Sequence, residues 1–244
     1  MLLSLPMVFL ALSVHESAHG LAAYKLGDPT ARNLGRLTLN PLKHIDILGF
    51  ICMLLFHIGW AKPVPINTRN FKNPRRDMAL SAAAGPASNL LTAIVLAGIL
   101  RLEVWLADLF LHDEMSTAFE VLVSGGDLSM GFKCMAVLTY VIYMGVLLNI
   151  SLSIFNLIPI PPFDGSRIAH VFLPTKWYFA IMRYEQYIMI ALLVLLWIFP
   201  STWLSNATGC LSSVILSIFG MRGSSEAWLN LNRMLAYVQL ALII

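Results

Sequence analysis

Apolar residues in this chain come in long runs separated by short polar punctuation, and the length of each run limits what it can form. Residues 2–25 predict one helix long enough to span a bilayer, for which about 20 apolar residues at 1.5 Å each are needed. Gly27-Asp28-Pro29 stops it. Leu34, Leu37 and Leu39 then stand among Arg32, Arg36, Thr38 and Asn40, and from Arg36 the alternation has the period of a strand, closed by Asn40-Pro41. Residues 45–59 are apolar over about 15 positions, fewer than a crossing needs, so a re-entrant or interfacial segment is expected. Gly59 to Asn67, with Pro63 and Pro65, cannot be helix interior and reads as loop or edge strand at the membrane surface.

A second span is predicted over 78–100, where small residues from Ala82 to Ser88 let helices approach closely in lipid. An interfacial amphipathic helix is expected near 102–111, a third span over 132–157, and a fourth and fifth over 185–200 and 203–219. Met221 to Ser225 reads as a linker before a final apolar helix over 226–244, which could be a sixth span, an interfacial helix or sequence not native to the rest. The fold class is therefore an α-helical polytopic membrane protein with five to six transmembrane helices and a small membrane-associated β element after the first helix. Residues 1–220 form its core, and 221–244 the linker and an apolar helix of open role.

Composition agrees with this pattern. Hydrophobic residues make up 58% of the chain and charged residues 12%, against about 45–50% and about 25% in soluble domains. The formal charge of +3 matters less than its distribution. Nine of the sixteen Lys and Arg fall between residues 25 and 76, which marks that segment as cytoplasmic. Arg167, Lys176 and Arg183, and later Arg222, are assigned to the same side. Residues 101–131 carry Glu103, Asp108, Asp113, Glu114, Glu120 and Asp127 against Arg101 alone, and are assigned to the opposite side. Nucleic acid is excluded as a partner, because the basic stretch lies between spans and has few interleaved aromatics. The three cysteines, Cys52, Cys134 and Cys210, are far apart in apolar runs and read as small hydrophobes rather than a disulfide framework. The N-terminus has no basic region ahead of its apolar run, so this run is expected to stay as the first span.

Within that first helix lies His15-Glu16-Ser17-Ala18-His19. Two histidines four apart share a helix face one turn from each other, so both imidazoles can reach one metal ion, with zinc the default. Glu16 points to the adjacent side, where its carboxylate can take a proton from an activated water without ligating. Ionisable residues inside an apolar helix cost about 2.5–3.5 kcal/mol each and mark a functional site.

The second motif is Asn156-Leu157-Ile158-Pro159-Ile160-Pro161-Pro162-Phe163-Asp164-Gly165. Its prolines forbid a helix and hold an extended approach to Asp164, and Gly165 permits the turn after it. Asp164 by itself reads equally as a cap for the following helix. Counting spans puts it at the same side as His15 and His19, and two histidines with one carboxylate leave a fourth tetrahedral position for water, as a catalytic zinc requires. His44 and His57 read as interfacial polar residues, and His112 and His170 have no partner pattern, so all four are excluded from the metal site.

With these motifs in hand the chain resembles the site-2 protease family, the intramembrane zinc metalloproteases. The resemblance rests on His15-Glu16-x-x-His19, Gly85-Pro86-x-x-Asn89 and Asn156-x-x-Pro-x-Pro-x-x-Asp164-Gly165. Gly35 to Pro41 and Ala61 to Pro65 are similar to the compact prokaryotic branch, without PDZ or CBS domain. It covers most of residues 12–168 and leaves the tail beyond about 220 outside.

The resemblance implies one Zn2+ per chain held by His15, His19 and Asp164, with Glu16 as catalytic acid/base. It gives Asn156 and Pro162 substrate-positioning roles. Phe163 stands where the family usually has leucine, which reshapes only a pocket wall. The implied activity is hydrolysis of peptide bonds within or near transmembrane segments of membrane-protein substrates, in regulated intramembrane proteolysis. The implied location is a multi-pass prokaryotic cytoplasmic membrane, with the active site toward the cytosol and the lipid bilayer around it. A substrate helix must be unwound to be cut, and the strand-like stretch Arg36, Leu37, Thr38 and Leu39 could dock it by backbone pairing. The alternatives are a non-proteolytic zinc-dependent protein that binds membrane segments, which would not need Glu16, and a metal-ion transporter, which would need a second acidic site along a path. Substrate identity, regulator and any homo-oligomer stay open.

Overall fold

The computed structural model describes residues 2–56, 59–123, 128–174, 176, 180–181, 183–198 and 202–241. A turn of 3-10 helix at Leu2–Ser4 leads into α1 (Leu5–Lys25), the helix that carries the His-Glu-x-x-His motif. Gly27 ends it with a φ of +110°, a left-handed conformation that favours glycine. Asp28 then ties the turn down. Its carboxylate accepts from the Thr30 amide at 3.1 Å, the Asn67 amide at 2.7 Å and the Asn70 side chain at 2.7 Å, so this loop and the 67–70 segment are one knot.

Two short helices follow, α2 (Thr30–Asn33) and α3 (Ile47–Phe56), and then α4 (Pro74–Val123) and α5 (Met130–Asn156). The chain continues through α6 (Asp164–Ala169), α7 (Glu185–Ile198), α8 (Thr202–Ile218) and α9 (Glu226–Ala241). It divides into two compact units. One comprises Met1–Met7, Thr92–Leu148 and Thr208–Ile244, and the other Val8–Leu91 and Asn149–Ala207.

Among the described residues two helices are long and apolar enough to cross a membrane, Pro74–Glu114 and Met130–Asn156. They match the predicted second and third spans in position. α1 has the length, 21 residues, but its motif residues dilute its hydropathy. α7 and α8, at 14 and 17 residues, fall short of the roughly 20 a crossing needs. Large apolar side chains such as Leu91, Val95, Trp105 and Phe110 on α4 are exposed, as expected of a surface that meets lipid.

The interfacial helix expected near 102–111 is not a separate element. α4 runs on through those residues because neither glycine nor proline interrupts them, and the backbone breaks only at Leu111, with φ −130° and ψ 26°. No sheet forms among the described residues. One antiparallel bridge joins Ile45 and Ala61, and Arg36 to Asn40 forms no strand and bends at Thr38. The Thr38 carbonyl, which a ladder would need, already accepts from the Ser17 hydroxyl and bonds the His44 ring, both at 2.7 Å.

In the unit containing the C-terminal residues, α9 buries Met234 and Val238 against Ala107, Leu128, Phe132 and Ala136. Glu103 on α4 is buried there, with Thr139 Oγ1 at 2.7 and 2.6 Å from its two oxygens and Met234 Sδ 3.0 Å from that hydroxyl. Glu226 comes together with Asp108 and His112, so α9 starts at the level of the acidic part of α4.

Candidate metal centre

The site is built within the unit formed by Val8–Leu91 and Asn149–Ala207. Helical spacing on α1 stacks His15 and His19, both 7% exposed, with ring centroids 4.6 Å apart and planes at 87°. Their Nε2 atoms are 3.0 Å apart. Asp164 reaches them from the start of α6, its Oδ2 3.1 Å from His15 Nε2 and 3.2 Å from His19 Nε2. The prolines ahead of it keep the chain out of a helix until Phe163, and Gly165 lets the start of α6 pack closely on the preceding chain. A Cβ at Gly165 would collide with the carbonyl oxygens of Leu157 and Ile158.

Two further features fix the histidines. His19 Nδ1 lies 2.7 Å from the Ser81 carbonyl, which accepts its proton and leaves Nε2 with a lone pair in the neutral ring. Ser81 in turn donates its hydroxyl to the His19 carbonyl at 3.0 Å. One turn along α4, Gly85 allows the two helices to meet, because a Cβ there would strike both imidazoles. Neither Ser81 nor the contact made by Gly85 could be inferred from residue spacing, although Gly85 belongs to a motif that the resemblance quotes.

Three acceptor atoms 3.0–3.2 Å apart in a buried pocket would repel one another without a cation or shared protons. Tetrahedral zinc, with bonds of about 2.0–2.1 Å, holds its ligand atoms about 3.3 Å apart, so the donor set fits such an ion with little movement. Asp164 Oδ2 has no hydrogen-bond donor of its own. The residues therefore suit zinc by chemistry and spacing alike.

Glu16 sits beside them, half-buried, with Oε2 accepting from the Val64 amide at 2.8 Å. A cleft of about 580 Å³ opens over the four residues. Its walls include Trp60, Pro63 and Val64 from the segment after α3, together with Asn156, Pro162 and Arg167. Asn156 donates its amide back to the Leu152 carbonyl at 3.0 Å, and Phe163 stacks on Phe155 with centroids 4.3 Å apart. Arg36 to Leu39 do not line the cleft. They lie one layer behind it, with the Arg36 guanidinium donating to the carbonyls of Lys62 at 2.8 Å and Pro63 at 3.3 Å. His44 is buried rather than interfacial, His112 pairs with Asp108 at 3.2 Å, and neither joins the centre, while His57 lies outside the described residues.

A helix presenting two imidazoles, a carboxylate from a proline-rich turn and an adjacent glutamate at an apolar cleft define a metallopeptidase-type centre in a membrane protein. Residues 4–199 match the model of peptidase family M50, and the chain belongs to that family, as a site-2-type intramembrane zinc metalloprotease. Among relatives, YwhC of Bacillus subtilis, whose name describes a zinc metalloprotease, is 39% identical over 188 residues, covering 77% of each chain. Rip2 of Mycolicibacterium smegmatis, similarly named, is 26% identical over 223 residues, 86% of this chain and 75% of its own. No solved structure matches the chain.

Proposed function

We propose that His15, His19 and Asp164 hold the zinc ion and that Glu16 is the general acid and base in cleavage of membrane-embedded substrates. The observation that supports this most directly is the triangle of His15 Nε2, His19 Nε2 and Asp164 Oδ2, with edges of 3.0–3.2 Å, at the floor of the cleft. Bound there, zinc supplies Lewis acidity toward a water and toward the scissile carbonyl. Glu16 does the proton work. The Val64 amide holds Oε2, which leaves Oε1 to take the proton of the attacking water and later give it to the departing amine nitrogen.

A helical peptide bond is shielded by its own backbone hydrogen bonds, so the substrate enters unwound. Trp60, Ala61, Pro63 and Val64, with Asn156 and Pro162, line the cleft and orient the substrate. α1 acts as a third span in addition to α4 and α5 in a multi-pass fold. Basic residues 25–76 put the mouth of the site toward the cytosol, from which water enters. Residues 1–220 carry the catalytic core and 221–244 an added helix.

The test is metal analysis of the purified protein together with cleavage of a single-span substrate in detergent. Activity should vanish with a chelator and return with zinc. Zinc-free protein that still cleaves would end the proposal.

A further inference from the structure

Each imidazole at the centre has a second nitrogen, and the two are treated differently. His19 Nδ1 has the Ser81 carbonyl. His15 Nδ1 is buried and has no hydrogen-bond partner. A histidine that ligates through Nε2 carries its proton on Nδ1, and metal sites nearly always provide an acceptor for that proton, which fixes the ring and its basicity. The Cε1 edge next to His15 Nδ1 abuts Gly85 of α4, which points to that helix for the corresponding acceptor.

The pairing of α1 with α4 gives the direction. Ser81 meets His19 and Gly85 meets both rings, so residue numbers rise along α4 as they fall along α1. The next residue on the same face of α4 is Asn89, one turn beyond Gly85. It is 0% exposed, and both its Oδ1 and its Nδ2 have no partner. A buried amide with neither end satisfied is costly, and hydrophobic residues of its volume would pack there at no such penalty. A buried donor on α1, His15 Nδ1, and a buried acceptor on α4, Asn89 Oδ1, thus both stand without a hydrogen-bond partner.

We propose that Asn89 is a positioning residue for the zinc ligand His15, acting through one buried water that accepts from His15 Nδ1–H and donates to Asn89 Oδ1. This bridge gives His15 what the Ser81 carbonyl gives His19, and it holds the His15 ring in the tautomer that presents Nε2 to the metal. The inference rests on the proposed ligand role of His15.

The experiment uses the full chain in detergent, with zinc affinity measured by competition against chelators of graded strength and stability measured on the zinc-free protein. Asn89→Leu and Asn89→Ala should weaken zinc binding by about 10–100-fold, the usual cost of losing an outer partner. Zinc-free Asn89→Leu should be as stable as the parent or more so, because the unsatisfied amide is gone. Asn89→Asp, which keeps an acceptor oxygen, should retain zinc affinity near that of the parent. Parental affinity in Asn89→Leu or Asn89→Ala would overturn the proposal, as would failure of Asn89→Asp to exceed Asn89→Ala. If Asn89→Leu does not fold, Asn89→Ala against Asn89→Asp decides. His15→Ala separates the two levels: unchanged zinc binding in it removes the ligand assignment itself, whereas loss in it with none in the Asn89 variants removes only the bridge.

Discussion

Asp164 and Glu103 are both carboxylates withdrawn from water in an apolar protein, yet their surroundings differ in kind. Asp164 meets two imidazole nitrogens at 3.1 and 3.2 Å and borders a cleft of about 580 Å³. Glu103 accepts from one hydroxyl, that of Thr139, which also lies 3.0 Å from Met234 Sδ, and it does not line that cleft. Burial of an acid in a membrane helix is therefore not by itself a mark of catalysis. The distinguishing signs are converging lone pairs, which need a cation, and space in which a substrate can lie. Glu103 has neither, and its chemistry is that of a polar tie between α4 and α5.

The strongest way to break the comparison is at Glu16. Glu16→Gln keeps the shape and an acceptor for the Val64 amide but cannot take a proton, so cleavage should fall by about 10²–10⁴-fold or below detection while zinc content is unchanged. Substrate turnover near the parental rate would remove Glu16 from the chemistry. Asp164→Ala comes next. It should lower zinc affinity by more than the roughly 10–100-fold that an outer partner is worth, because a three-ligand site has none to spare. Normal zinc content in that variant would send the search for a third ligand elsewhere, and Asp164 would then resemble Glu103 after all.

The contrast between the two acids was only half legible in the sequence. His15, Glu16 and His19 declare themselves because helical period and chemistry coincide within five residues, and Asp164 follows from the proline-rich turn once the spans are counted. Glu103 cannot be told in the sequence from its acidic neighbours, which together read as the side opposite the basic segment and near 102–111 as an interfacial helix, although α4 continues through it and buries it. A strand was expected at Arg36 to Asn40 because alternation reports which side chains share a face. It does not report whether a partner backbone is available, and here the Thr38 carbonyl is taken by Ser17 and His44. The Ser81 and Val64 contacts were invisible for a related reason, since both use main-chain atoms that any residue would supply.

A third carboxylate, Asp28, sharpens the comparison from outside the membrane helices. Burial alone would raise its pKa, but hydrogen bonds from the Thr30 hydroxyl, the Asn70 side chain and the amides of Asn67 and Thr30 outweigh it and hold the carboxyl below its ordinary range. A depressed folded-state pKa contributes stability that is present above the unfolded value and is lost as pH falls through the folded one. Unfolding measured from pH 7 down through the acid range should therefore show a loss at low pH that is smaller in Asp28→Asn, which is itself less stable than the parent at neutral pH. An unchanged acid limb would mean that the knot at Gly27-Asp28-Pro29 does not depend on the charge.

The smallest effect is expected where the comparison is most exposed to failure, at Glu103. If this acid is a tie and no more, Glu103→Gln keeps an oxygen to accept from Thr139 and a side chain of the same size, so stability should change by about 1 kcal/mol or less. Zinc content and cleavage should not change. Glu103→Ala would cost more, about 1–3 kcal/mol, by leaving a cavity in a buried layer, while the Thr139 hydroxyl keeps the Met135 carbonyl at 3.0 Å. Both variants should give the parental pH profile of cleavage, a measurement that a purely structural residue leaves alone and a proton-transferring one does not. A shifted profile in Glu103→Gln with normal zinc content would mean that the buried acid takes part in proton movement. Seclusion from the cleft would then no longer separate structural from functional acids in this protein.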